Sequence, residues 1–204
     1  MTTEISAKVV KKLRDQTGAG MMNCKQALAE NNGDFEKAIE FLRLKGMAIA
    51  DKKSARNTNE GLIYSYIHTG SKLGIMVEIN CETDFVAKRP EFSEVAKNIA
   101  MQIASNGNIE FISSDEIDDS IKEKVRQFEN SKDDLENKPD EIRMKIVDGR
   151  VAKSLKEKIL LEQEYIRDPN ITVEEYIKQT IGIIGENIKI TRFVRYILGE
   201  TEQD

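Results

Sequence analysis

The chain has 204 residues and a formal net charge of −5, with 39% hydrophobic and 33% charged residues. This balance predicts a helix-rich folded protein of at most two units and excludes a disordered or fibrous chain. Phosphate binding relies on clustered Lys and Arg, so the acidic balance argues against nucleic acid as the main ligand.

The charge is unevenly distributed along the chain. Residues 1–56 hold 11 Lys and Arg against 7 Asp and Glu, whereas the remaining residues hold 20 against 29. A basic amino-terminal segment on an acidic body could steer association with an acidic partner, although ordinary solvated helix faces would give the same count.

No stretch reaches the roughly 20 apolar residues of a membrane span, and the first twenty residues contain no apolar signal core. We therefore expect no membrane association and a protein that stays in the compartment where it is made. The two cysteines, Cys24 and Cys81, lie far apart in sequence, which predicts reduced thiols in a cytosol-like compartment.

The first 46 residues predict a compact module of three short helices. Apolar residues recur at helical spacing after Thr3 or Ser6, and Gly18 ends that run. The second helix is predicted from about Met22 to Glu30, and Asp34 caps a third that Gly46 stops. Residues 47–60 lose the apolar stripe and predict a polar, in part helical, linker.

From Gly61 onward the apolar period changes from 3.6 to 2, which predicts a β-hairpin ending at Cys81. Helices are predicted from Pro90 to Ser105, around 115–132, and from about Pro139 to Ile166. Thr172 caps a last helix before a strand through Ile188 and Tyr196. The fold class is therefore α+β, with residues 61–204 forming a three-stranded antiparallel sheet packed with helices.

The sequence offers little for an enzyme. His68 is the single histidine, so any histidine-dependent catalytic arrangement must use it, and it lies near a strand end. Cys81 shares the inward pattern of its strand and is expected in the core. There is no glycine-rich phosphate loop, so we expect neither a catalytic site nor a cofactor or metal site.

One connection breaks the local pattern. Phe85 and Val86 follow the second strand of the hairpin in the polar run Glu82-Thr83-Asp84, where a large aromatic residue is unexpected. Phe85 either folds back as a lid on the core or is an apolar knob offered to a partner pocket.

Two long motifs resemble the elongation factor Ts family. The run EINCETDFVA at 78–87 is similar to one family signature, and TGAGMMNCKQAL at 17–28 is similar to another. Further similarity covers KP at 138–139, KIVDGR at 145–150, LLEQ at 160–163 and GENI at 185–188. The resemblance spans nearly the whole chain.

The resemblance implies a guanine-nucleotide exchange factor for elongation factor Tu, acting in translation elongation without a chemical active site. It implies that the amino-terminal module resembles ubiquitin-associated domains and contacts the partner through Arg14, Met21, Met22 and Lys25. The loop formed by Thr83, Asp84, Phe85 and Val86 would dislocate the partner's Mg²⁺ and phosphate contacts. The domains would then be the module at 1–46, the linker at 47–60, and an exchange and dimerisation core at 61–204.

The chain departs from the family pattern in a few places. Asn98 and Gln102 stand where longer relatives tend to carry histidine, which leaves a partner contact there open. The chain resembles the short family form, which lacks one of two core subdomains, so a homodimer stays open as well. We expect a cytoplasmic protein, and the alternative is the plastid stroma if the copy is organelle-encoded.

Two competing hypotheses remain. An adaptor that binds ubiquitin-like proteins would use the three-helix module alone, but it would leave the Phe85 loop unexplained. A thiol or hydrolytic enzyme would use Cys81 and His68, and Cys81→Ala would abolish its activity.

Overall fold

The computed structural model describes residues 5–135 and 138–200. Eight α-helices occur in these ranges: α1 (Ala7–Thr17), α2 (Met21–Glu30), α3 (Phe35–Lys53), α4 (Asp84–Ala87), α5 (Pro90–Ser105), α6 (Asp119–Asn130), α7 (Asp140–Lys158) and α8 (Val173–Ile184). The strands are β1 (Glu60–Ile67), β2 (Leu73–Cys81), β3 (Glu164–Tyr165), β4 (Asp168–Thr172) and β5 (Ile188–Ile197).

The predicted α+β architecture is confirmed. Three helices come first, and β1, β2 and β5 form a three-stranded antiparallel sheet in the order β1-β2-β5. The helix from Pro90 to Ser105 and the last helix ending at Ile184 have the predicted bounds. A small antiparallel pair, β3 with β4, was not predicted because each strand is only a few residues long.

Local capping signals explain the helical starts. Ser6 accepts a hydrogen bond from the backbone N–H of Val9 at the start of α1, and Asp34 accepts one from Lys37 at the start of α3. Gly18 ends α1 in the left-handed conformation, at φ 69°. These first three helices enclose their own apolar cluster: Val10, Leu13, Cys24, Ala27, Leu28 and Ala38.

The prediction that Gly46 ends the third helix is wrong, and the predicted linker is helical as far as Lys53. Gly46 instead lies where α3 crosses α8 at close range. A Cβ atom added to Gly182 of α8 would lie 2.6 Å from the Cα of Gly46. Glycine at this position therefore permits close backbone approach. Ion pairs flank the crossing, from Arg43 to Glu175 at 3.5 Å and from Lys178 to Asp51 at 3.0 Å.

The predicted long helix through Ile166 is also too long, because α7 ends at Lys158. After it, the chain turns to pair with an earlier segment: the N–H of Leu160 donates to the carbonyl of Phe111 at 2.8 Å. The charged helix α6 packs against α7 around a cluster that contains Leu135, Val147 and Val151. Within the described ranges, none of the helices has the length and apolar composition needed to cross a membrane.

The chain divides into two compact units, each built from several segments. The first comprises residues 1–62, 79–93 and 175–189, and the second comprises 63–78, 94–174 and 190–204. The first unit therefore contains α1 to α3, the end of β2, the Phe85 loop and α8. The second unit contains the hairpin turn, most of α5, and α6 and α7.

Candidate functional site

The candidate site is the loop from Glu82 to Lys88, which leaves the buried end of β2. Cys81 is fully buried, and its thiol donates to the carbonyl of Thr83 at 3.2 Å. Burial raises the pKa of the Cys81 thiol to about 11, with a further contribution from the nearby charge of Glu186. The complete burial of Cys81 confirms the expectation of a core cysteine. Because the thiolate is the nucleophile, the raised pKa argues against a thiol enzyme.

Two of the four predicted loop residues serve as scaffold. Thr83 is the N-cap of α4 and accepts a hydrogen bond from the N–H of Val86 at 3.4 Å. Val86 points inward and is only 6% exposed. Both residues hold the loop in the free protein, and their predicted contact with a partner stays a prediction.

The other two predicted loop residues face outward. Phe85 is 80% exposed, so the hypothesis that it folds back as a lid on the core is wrong. Asp84 pairs with Lys88 at 2.6 Å one helical turn later. The hydrogen bond from Lys88 lowers the pKa of Asp84, which favours the charged form of this carboxylate.

A second segment, from Gly185 to Ile188, closes around the loop. The Glu186 carboxylate accepts the N–H groups of Glu82 and Thr83 at 3.1 and 3.0 Å, and the Thr83 hydroxyl at 2.6 Å. The N–H of Asn187 in turn donates to the Glu82 carboxylate at 2.7 Å. This bond is the main reason that the pKa of Glu82 is lowered, with Arg56 adding a smaller effect.

Asn187 extends this network to the chain that follows α3. It is 2% exposed, and its side-chain amide donates to the carbonyls of Ser54 and Arg56 at 3.3 and 2.9 Å. Glu82, Glu186 and Asn187 were not predicted as functional residues. The motif GENI at 185–188 is the signal that could have identified the last two, because they lie in the connection between α8 and β5.

The four residues predicted for partner contact in the amino-terminal module all lie on its surface. Met21 and Met22 are 44% and 77% exposed, so internal packing does not account for either side chain. Arg14 and Lys25 are exposed as well. An exposed pair of methionines beside two cations can adapt to an apolar groove with an acidic rim.

The helix positions at Asn98 and Gln102 are interior. Asn98 is 4% and Gln102 is 2% exposed, and Gln102 exchanges hydrogen bonds with the carbonyl of Glu164 and the N–H of Ile166. His68 is exposed, and its ring nitrogen Nδ1 shares a hydrogen bond of 3.0 Å with the hydroxyl of Tyr66. Among the residues that the structure describes, no three His, Cys, Asp or Glu side chains cluster so as to hold a metal ion.

Comparison with known proteins identifies the family. Residues 3–200 match the family model described as Elongation factor TS. The chain is 73% identical to "Elongation factor Ts, chloroplastic" of Phaeodactylum tricornutum over 202 residues, which cover 99% of this chain and 100% of that protein. It is 61% identical to the protein of the same name from Rhodomonas salina, covering 98% and 91% of the two chains. It is 59% identical to Elongation factor Ts of Rippkaea orientalis, covering 97% and 79%. The chain therefore belongs to the elongation factor Ts family.

Proposed function

We propose that this protein promotes GDP release by inserting Phe85 beside the nucleotide site of elongation factor Tu. As a member of its family, the chain is a nucleotide exchange factor for elongation factor Tu in translation elongation, and it is not an enzyme. The observation that carries the proposed mechanism is the 80% exposure of Phe85 on a loop whose backbone is hydrogen-bonded to Glu186. An apolar ring held outward on a fixed loop is suited to enter a partner pocket.

The energetics set a limit on what Phe85 does alone. Burying one Phe side chain yields about 1.5–3 kcal/mol, which can displace a local segment of the partner but cannot evict a tightly bound nucleotide. The remaining free energy comes from the wider interface and from weaker coordination of Mg²⁺ in the partner. Because this ion bridges phosphate oxygens, weakening its coordination lowers the affinity for the nucleotide. Asp84 directly precedes Phe85 in the loop and would accept hydrogen bonds from the displaced segment.

Binding reciprocity fixes the overall scheme. If the factor lowers the affinity of elongation factor Tu for GDP, then GDP lowers the affinity for the factor by the same ratio. A transient ternary complex follows from this relation. The exchange equilibrium is unchanged, and only the rate of nucleotide release rises.

The amino-terminal module supplies a second contact. We assign Arg14, Met21, Met22 and Lys25 to the docking of this module on the GTP-binding domain of the partner. Their shared exposure and the basic charge of residues 1–56 support this assignment. Arg14 and Lys25 would act mainly on the association rate, whereas the methionines would contribute buried apolar area.

The exchange function is tested by release of a fluorescent GDP analogue from elongation factor Tu in the presence of excess unlabelled GDP. Substoichiometric amounts of this protein should accelerate release, and the rate should saturate as its concentration rises. The matched control is the same protein unfolded by heat. Absence of acceleration with a partner from the same compartment would refute the exchange function.

We also propose that the protein forms a homodimer through the outer face of the sheet. Six large apolar side chains on alternating positions of the three strands and just beyond β5 are exposed: Ile63, Ile67, Met76, Val194, Tyr196 and Leu198. Such a contiguous apolar face favours burial against a second copy, because both copies present the same surface to a two-fold axis. Sedimentation equilibrium of the wild type and of Ile67→Asp tests this, and a monomeric wild type at micromolar concentration would refute it.

The plastid stroma is the compartment we propose. The chain is 73% and 61% identical to the two relatives named chloroplastic and 59% identical to the one from Rippkaea orientalis, and this order supports the plastid over a bacterial cytoplasm. Fractionation of source cells followed by immunodetection distinguishes the two.

A further inference from the structure

We propose that Glu186 is a positioning residue for Phe85, and this inference rests on the proposed function of the Phe85 loop. The Glu186 carboxylate accepts three hydrogen bonds from the first two residues of the loop. Backbone N–H groups supply two of these bonds, so the carboxylate fixes the path of the main chain rather than a single side chain. The path of the main chain at Thr83 sets the direction in which α4 begins.

Two further hydrogen bonds hold the first two loop residues, from the Cys81 thiol to the Thr83 carbonyl and from the Asn187 N–H to Glu82, but α4 itself has little that fixes its direction. The helix α4 spans only four residues, Asp84–Ala87, and isolated helices of this length are unstable in water. The ion pair between Lys88 and Asp84 lies at the surface, with 76% of the first side chain and 48% of the second exposed. Exposed pairs of this kind contribute little to stability. The inward packing of Val86 anchors one side of α4. The start of the helix is therefore held by Glu186 together with the Thr83 cap.

The segment from Gly185 to Ile188 also links the loop to the end of α3. The next residue, Asn187, bonds through its N–H to Glu82 and through its amide to the carbonyls of Ser54 and Arg56. These carbonyls follow directly on α3, which belongs to the module that carries Met21 and Met22. Glu186 and Asn187 thus hold the Phe85 loop in a fixed position relative to the chain leaving that module.

Preorganisation of this kind should appear in the exchange rate. If the loop samples its competent orientation only part of the time, the apparent efficiency falls in proportion to that fraction. A glutamine at 186 can still accept the backbone N–H groups through its amide oxygen and donate its amide N–H to the Thr83 hydroxyl. An alanine can do neither, and it leaves two loop N–H groups without their acceptor.

The test compares Glu186→Ala and Glu186→Gln, each with Phe85 present and in the Phe85→Ala background. Glu91→Ala is the matched control, because that carboxylate lies three residues beyond the loop and its hydrogen bonds among the described residues come from Arg89 rather than from the loop. Stimulated GDP release should fall roughly tenfold for Glu186→Ala, which corresponds to a competent fraction of about one tenth. Glu186→Gln and Glu91→Ala should retain most of the rate. In the Phe85→Ala background, Glu186→Ala should cause no further loss.

Amide hydrogen exchange in the free protein supplies an independent measurement. Residues 82–88 should exchange faster in Glu186→Ala than in the wild type or Glu91→Ala, while the helices of the module keep their protection. Unchanged protection of the loop, or a loss of rate that adds fully to that of Phe85→Ala, would overturn the positioning role. If Phe85→Ala accelerates GDP release as fast as the wild type, the proposed insertion of Phe85 is refuted, and the positioning role of Glu186 for Phe85 is refuted with it. The protection of residues 82–88 then shows only whether Glu186 orders the loop.

Discussion

Replacing Phe85 by alanine should slow nucleotide release strongly while leaving the fold intact. Full burial of a Phe side chain is worth about 1.5–3 kcal/mol. Phe85 is 80% exposed in the free protein, so about four fifths of that free energy, roughly 1.2–2.4 kcal/mol, remains to be gained on binding. Its loss corresponds to a fall in exchange efficiency of about 8- to 60-fold. The free energy of unfolding should change by less than about 0.5 kcal/mol, because the ring makes little contact with the core.

The assay is stopped-flow release of fluorescent GDP over a range of factor concentrations, combined with chemical denaturation of each variant. Val86→Ala is the comparison for stability alone, because it alters the adjacent side chain, which is only 6% exposed and anchors α4. This variant should lower the free energy of unfolding by roughly 1–3 kcal/mol. Equal exchange rates for Phe85→Ala and the wild type would refute the insertion mechanism. A large loss of stability in Phe85→Ala would contradict the exposed position of the ring.

Three further substitutions address the fold, the loop network and the module. Gly182→Ala should lower the free energy of unfolding in guanidinium by about 1–3 kcal/mol, because its Cβ would meet the backbone of α3. The control Gly149→Ala, in the open interior of α7, should instead raise it by up to about 1 kcal/mol; a reversed order would contradict the close crossing. Since the pKa of Glu82 is lowered on folding, its contribution to stability is present above its ordinary value of 4.5 and lost as the pH falls through the folded value. The melting temperature measured by thermal denaturation should therefore fall more steeply between pH 7 and pH 3 for the wild type than for Glu82→Gln. Parallel curves of melting temperature against pH would refute this. Met22→Ala should weaken binding to the isolated GTP-binding domain of the partner, as measured by calorimetry, and should change the free energy of unfolding by less than about 0.5 kcal/mol. Unaltered affinity would remove this residue from the interface.

The sequence determined the elements whose ends depend on local chemistry. Ser6, Asp34 and Gly18 cap helices through bonds or backbone conformations that involve only neighbouring residues, and Pro90 begins α5 as predicted. The alternation of side chains also identified the strands of the sheet, because the period of two is a property of the extended backbone itself. Where a boundary depends on a distant segment, local patterns were not sufficient. Gly46 resembles a helix stop, yet α3 continues because α8 approaches its backbone there.

The site shows the same division more sharply. The motif around Phe85 indicated the family and the residues of the loop, but its pattern could not distinguish an inward ring from an outward one. In the structure, Val86 is buried and Phe85 is exposed, and Glu186 lies about a hundred residues further along the chain. Sequence thus determined the family, the helices and the strands, because these follow from contacts among near neighbours. The exposure of Phe85 and its link to Glu186 and Asn187 were decided only by tertiary structure, because hydrogen bonds and burial between distant segments exist only after the chain has folded.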